Sequence, residues 1–129
     1  MKKLFLLLIL TFTTLSVHAK WILVATNEDV DIFVKTDSIK RKSHMVTYWE
    51  TFNYKSIQKV DEKQYSSLKI KNETNCNTEE NRTLFMAVYS ESMGLGQVID
   101  SFKTDKEGFR EIIPDSLAHI VFQFVCSKK

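Results

Sequence analysis

Few side chains in this sequence have the type and spacing that chemistry needs. Cys76 and Cys126 are its two cysteines, and each could serve as a thiolate, a metal ligand or half of a disulfide. A two-cysteine zinc site lacks a histidine at ligand spacing. General acid–base work asks for a histidine beside a carboxylate or nucleophile. His18, His44 and His119 stand apart from one another without such company. No serine lies in a Gly-x-Ser-x-Gly elbow. Gly94-Leu95-Gly96 is too short for a phosphate loop and reads as a turn. The carboxylates are dispersed, with no calcium-loop spacing. The residues predict no catalytic centre, no cofactor and no metal, so an enzyme is not expected.

Recognition without chemistry is easier to find. Trp21, Tyr48, Trp49, Phe52 and Tyr54 either form an aromatic ligand-binding face or pack in the core of a sheet. Lys40-Arg41-Lys42 is either an anion patch or a solvated loop. Asn72-Glu73-Thr74 and Asn81-Arg82-Thr83 match the glycosylation sequon, a triplet that matters only in a host with that machinery.

Compartment comes from the first residues. Met1–Ala19 has a charged start at Lys2 and Lys3, an unbroken apolar run from Leu4 to Leu10, and a small-x-small exit at Val17-His18-Ala19. That pattern predicts a secretory signal cleaved after Ala19. Its apolar core is shorter than the about 20 residues a membrane span needs. No cysteine follows the cleavage site, so a lipid anchor on a new N-terminal cysteine is not expected. One domain remains, residues 20–129. Lys2 and Lys3 leave with the signal, so 16 basic residues face 16 acidic ones and the net charge is zero. A neutral domain has no electrostatic case for nucleic acid. Both cysteines lie in the exported part, where disulfides persist. Two cysteines allow one pairing, worth about 4 kcal/mol in the chain-entropy picture, with free buried thiols as the alternative.

Elements follow from periodicity. Trp21 to Ala25 is a continuous apolar run, as in a strand buried on both faces. Val30 to Lys35 alternates and makes a hairpin with it across Asn27-Glu28-Asp29. Asp37 or Ser38 can cap one helical turn within the polar 36–42 stretch. His44 to Tyr54 is a long strand with Val46, Tyr48 and Phe52 opposite Met45 and Trp49. Residues 56–64 are polar and read as a loop. Tyr65 to Cys76 puts Leu68, Ile70, Thr74 and Cys76 on one face, with Lys69, Lys71 and Glu73 on the other. Arg82 to Ser90 is apolar on both parities, as in a central strand. Gly94 and Gly96 bracket a turn before a last strand, Gln97 to Lys103. Beyond Pro114, Asp115 or Ser116 can cap a helix in which Leu117, Ile120, Val121, Phe124 and Val125 form the apolar stripe. About six strands followed by one helix predict an α+β fold, an antiparallel sheet with a C-terminal helix packed on it.

A wider pattern runs along nearly all of the mature chain. It comprises Trp21 with its apolar strand, Val30 to Lys35 leading to Asp37-Ser38-Ile39, Val46 to Trp49, and Ser67-x-Lys69. Then come Cys76, Arg82, Tyr89-Ser90, Met93-Gly94-x-Gly96-x-Val98, Pro114-x-Ser116 and Cys126. In this order and spacing the sequence resembles the surface-adhesin protein E family of Gram-negative bacteria. The resemblance implies a sheet with its C-terminal helix tied down by a disulfide, and Cys76–Cys126 as that pair. It also implies homodimerisation and binding of host matrix or plasma proteins such as vitronectin, laminin or plasminogen. Two roles follow. One is an adhesin-like binding module on the cell surface. The other is a periplasmic or secreted accessory protein, such as an inhibitor acting on a cell-envelope partner.

Overall fold

The computed structural model describes residues 20–104 and 106–128. The expected signal peptide lies outside them. Eight antiparallel strands form one sheet: β1 (Trp21–Thr26), β2 (Val30–Lys35), β3 (Lys40–Lys42), β4 (Met45–Val60), β5 (Lys63–Asn75), β6 (Glu80–Tyr89), β7 (Val98–Lys103) and β8 (Arg110–Glu111). One helix, α1 (Leu117–Cys126), closes the chain. Six strands run in the order β1-β2-β4-β5-β6-β7, while β3 pairs with β4 and β8 with β6. The expected α+β sheet and helix are present, with two short strands added.

α1 begins where Ser116 accepts the His119 backbone N–H through its Oγ at 3.1 Å, so Ser116 and not Asp115 is the cap. The helix lays Val121 and Val125 on a core made by Ala25, Val30, Ile32, Val34, Val46 and Tyr48. Its far end is bonded to the sheet: Cys76 and Cys126 form a disulfide with Cα atoms 5.8 Å apart. Arg41 completes that end. Its Nη1 donates to the carbonyls of Cys126 at 3.0 Å and Lys128 at 3.1 Å, where a helix leaves its carbonyls without partners. A second apolar cluster, Leu68, Ile70 and Val88 with Met86, Tyr65 and Ile99, lies beyond the helix.

Four expectations are corrected. Residues 56–64 are not a loop. β4 continues to Val60 and β5 begins at Lys63, joined by Asp61 and Glu62, both at positive φ. The polar composition reflects a hairpin tip that projects past the sheet, so both of its faces meet water. β1 is not buried on both faces: it is an edge strand, and Ile22 and Leu23 are exposed. Lys40-Arg41-Lys42 is not a loop but the exposed strand β3, and Arg41 is committed to the helix end. Within α1, Ile120 is exposed and Phe122 is buried, because the helix lies over β1 and β4 rather than centrally.

Candidate functional site

The helix covers one face of the sheet. The other face is covered only in part, by the turn of residues 92–94 packed over Ser67 and Asn53, and a single cross-strand row dominates what is left open. Register pairs Trp21 with Lys35 at the β1–β2 edge. Farther in, Trp49 on β4 pairs with Lys71 on β5, Lys71 with Phe85 on β6, and Phe85 with Lys103 on β7. Aromatic ring and lysine thus alternate across the strands. Side chains of opposed strand residues stand about 5 Å apart, which brings each lysine stem against a ring. Trp49 and Phe85 meet edge to face with centroids 5.8 Å apart. An open groove of about 390 Å³ lies over Trp49, Lys71, Leu84, Phe85 and Lys103. A second, of about 220 Å³, continues it past Trp49 and Phe85 toward Trp21, Lys35 and Tyr89.

Lys69 closes the row from one side. Its ammonium sits 5.8 Å from the Trp21 ring and 5.4 Å from the Tyr89 ring, held by both aromatic faces. The turn after β6 locks it there. Ser67, fully buried, donates through Oγ to the Glu91 carbonyl at 2.6 Å and accepts the Gly94 N–H at 2.8 Å. Asn53 Oδ1 accepts the Met93 N–H at 2.9 Å. Gly94 has φ 68°, and a Cβ there would collide with the Lys69 side chain. Only glycine meets both conditions without strain. The Gly94-Leu95-Gly96 segment is therefore a turn that braces the open face.

Charge on this face is unbalanced. Among the described residues, none of Lys35, Lys69, Lys71 and Lys103 has a carboxylate within 4.0 Å. Two acidic groups beside the face have partners of their own. Glu73 is held by Arg82 at 2.6 Å, with the Arg82 guanidinium stacked 4.7 Å over Phe109. Asp37 lies 4.0 Å from Lys20. The neutral net charge of the domain conceals a basic face.

The covered side holds a buried titratable cluster. Glu50 is buried, and its Oε1 accepts from Asn72 Nδ2. Asn72 Oδ1 in turn accepts from Thr83 Oγ1 at 3.0 Å. Burial pushes the Glu50 carboxyl up to about 7, against the Asn72 hydrogen bond, which favours the charged form. Burial also lifts the neighbouring Tyr48 phenol well above the ordinary tyrosine range, with the Glu50 charge adding to the effect. The cluster is a structural network inside the sheet.

With both faces described, the chain can be set beside known proteins. It matches the family described as Surface-adhesin protein E over residues 21–127. The chain belongs to that family. No curated protein matches it. Among solved structures, crystal form II of Haemophilus influenzae protein E has a TM-score of 0.68 at 18% identity, covering 86% of this chain and 90% of that one. Another structure of Haemophilus influenzae protein E gives 0.63 at 17%, covering 86% of each chain. Protein E from non-typeable Haemophilus influenzae gives 0.58 at 17%, covering 88% of this chain and 79% of that one. At these identities the likeness establishes the fold.

Within this protein E fold the residues singled out in the sequence divide cleanly. The two cysteines are bonded. His44 is exposed beside Ser43, and His119 stacks on Phe122 with its Nδ1 facing the Asp115 N–H at 3.2 Å, so the two remain apart. His18 lies outside the described residues. Asn72, the first sequon asparagine, is buried with its amide engaged, which leaves no room for a glycan. The aromatic set is split by the sheet: Tyr48, Phe52 and Tyr54 serve the covered side, while Trp21 and Trp49 line the open one. Tyr89, part of the family pattern, joins the open face, and Phe85 and Lys103, which no sequence motif singles out, complete it. Their parity would have placed them there once the β5–β6–β7 register was known.

Proposed function

We propose that this chain is an exported, non-catalytic binding module that captures a protein partner through the open face of its sheet. Export is assigned to Met1–Ala19 as a signal peptide cleaved after Ala19. The observation that carries the reading is the row from Trp49 to Lys103. Four aromatic rings and four lysines line this face, which the turn of residues 92–94 covers only in part. Exposed aromatic patches rimmed by charge are the usual signature of a docking surface. Among the described residues no three His, Cys, Asp or Glu side chains gather as a metal site would require.

Family membership makes host matrix and plasma proteins the partners to try first: vitronectin, laminin and plasminogen. The test is capture of each by the purified mature domain, compared with Phe85→Ala and with Trp49→Ala. Saturable capture lost in both variants supports the reading, and capture unaffected by either removes the open face from it. Protease added to intact cells decides between the two roles. Cleavage of the protein supports the adhesin, whereas confinement to the periplasm favours the accessory protein acting on a cell-envelope partner. Homodimerisation, also implied by the family, has a candidate surface in the apolar cleft of about 210 Å³ around Val60, Leu68, Met86 and Phe102. Sedimentation of the mature domain measures it.

A further inference from the structure

Resting on that reading, we infer that Leu84 is a further partner-contacting residue of the open face, placed there by a β-bulge that the buried Asn72–Thr83 hydrogen bond holds in position. The registers on either side fix the bulge. Phe85 opposes Lys71 and Thr83 opposes Asn72, so Leu84 is one residue more than β5 has partners for. In a regular strand residues 83 and 85 would share a face. The extra residue reverses the parity: Phe85 stays on the open side with Lys71, and Thr83 turns to the covered side with Asn72. Leu84 itself is half-buried and lines the groove of about 390 Å³ with Trp49, Lys71, Phe85 and Lys103. Two successive side chains of β6 thus stand on one face, which an unbroken strand does not allow.

Nothing in Leu84 itself selects this position. If the bulge moved by one residue, Thr83 would become the extra one and Leu84 would oppose Asn72 on the covered side, because a slip of one exchanges the faces. Asn72 forbids the move. It is buried, and its amide is committed at both ends: Nδ2 donates to Glu50, and Oδ1 accepts from Thr83 Oγ1 at 3.0 Å. One side chain thereby ties β4, β5 and β6. With Leu84 in place of Thr83, the amide oxygen would lose its donor in a site without water, and an unpaired buried acceptor is costly. Thr104, just past β7, holds the bulge from the other flank. Its N–H donates to the Leu84 carbonyl at 3.0 Å and its Oγ1 to the Thr83 carbonyl at 2.5 Å. Asn72, Thr83 and Thr104 are therefore positioning residues, and Leu84 is the one that meets the partner. It adds an aliphatic surface to a groove otherwise made of rings and lysine stems.

The experiment has two readouts on the mature domain. The first is nuclear magnetic resonance with methyl-labelled leucine, the Leu84 signals being assigned by their loss in Leu84→Ala. Overhauser contacts from the Leu84 methyls to the Trp49 or Phe85 ring mark the groove position, and contacts to the Asn72 amide mark the shifted one. Wild type and Thr83→Ser, which keeps the hydroxyl, are expected to show the groove contacts. Thr83→Val, similar in size but without a donor, is expected to lose them. Groove contacts undiminished in Thr83→Val would overturn the positioning role. The second readout is capture of vitronectin, laminin and plasminogen. Leu84→Ala is expected to lower affinity at least about fivefold with its far-UV spectrum unchanged. Thr83→Val weakens capture likewise, and Thr83→Ser restores it. Should Phe85→Ala abolish capture while Leu84→Ala binds as wild type does, Leu84 is no contact and the open face stands. Should Phe85→Ala leave capture intact, the open-face reading itself has failed, and the methyl contacts still decide the bulge.

Discussion

Along β4, Val46, Tyr48 and Glu50 point toward the helix and are buried, while Thr47 and Trp49, one step away on the same strand, line the open grooves. The same alternation runs through β5, where Ile70 and Asn72 are buried and Lys69 and Lys71 are not. One face is filled by branched aliphatics, a satisfied polar network and a covalent clasp. The other is furnished with rings and cations that have little to do for folding. Because strand side chains alternate, a single stretch of backbone serves both ends without compromise. Stability and recognition are thus separable by substitution, and three measurements probe how completely.

The largest effect belongs to the covered face. Replacing the clasp by Cys76→Ser together with Cys126→Ser lowers stability by about 2–5 kcal/mol and loosens α1, while ring-and-lysine binding at saturating ligand is retained below the melting temperature. Thermal unfolding under oxidising conditions reads this directly; identical melting of variant and wild type would mean that the disulfide contributes nothing.

Next comes the buried carboxylate. The folded value of about 7 for Glu50 lies above its ordinary 4.5, so the folded state grips the proton more tightly than the unfolded one. The stability this contributes is fully present below about pH 4.5 and is lost as pH rises to about 7, a change of roughly 3 kcal/mol. Glu50→Gln keeps an acceptor for Asn72 and flattens that slope. Denaturant midpoints measured from pH 4 to pH 8, a range set by those two values, decide it. An unchanged slope would place the sensitivity elsewhere.

The smallest stability effect is expected on the open face. Phe85→Ala removes the edge contact with Trp49 and costs about 0.5–1.5 kcal/mol, far less than the clasp, yet abolishes capture of the partner. A loss of stability as large as that of the cysteine variant would erase the distinction between the faces.

Much of the covered side was legible in the sequence. The parity of residues 46–52 and 68–76 assigned the core face, and the helix of residues 117–126 was marked by its cap and apolar spacing. The hairpin tip was not legible, because Asp61 and Glu62 adopt the left-handed region without the glycine or asparagine that usually announces it. Ile120 and Phe122 were exchanged because helical spacing locates a stripe but not the direction from which the sheet approaches. The open row was hidden for another reason. Its members come from six strands and meet only through registers that no local pattern contains. The sequence shows the rings of Trp21 and Trp49, yet not that Phe85 stands between Lys71 and Lys103.

The bond between Cys76 and Cys126 also sets how this domain would bear a load. Tension applied beyond the helix passes through the sulfurs into the end of β5, so α1, β6, β7 and β8 are bypassed rather than peeled away. The 50-residue loop stays closed under force, which withholds about 170 Å of chain from extension. Only the strands before Cys76 can be drawn out, and they run from the β1 edge of the sheet to β5 at its middle. Pulled from its C-terminus in an oxidising medium, the molecule behaves as a short tether with a rigid knot at its end.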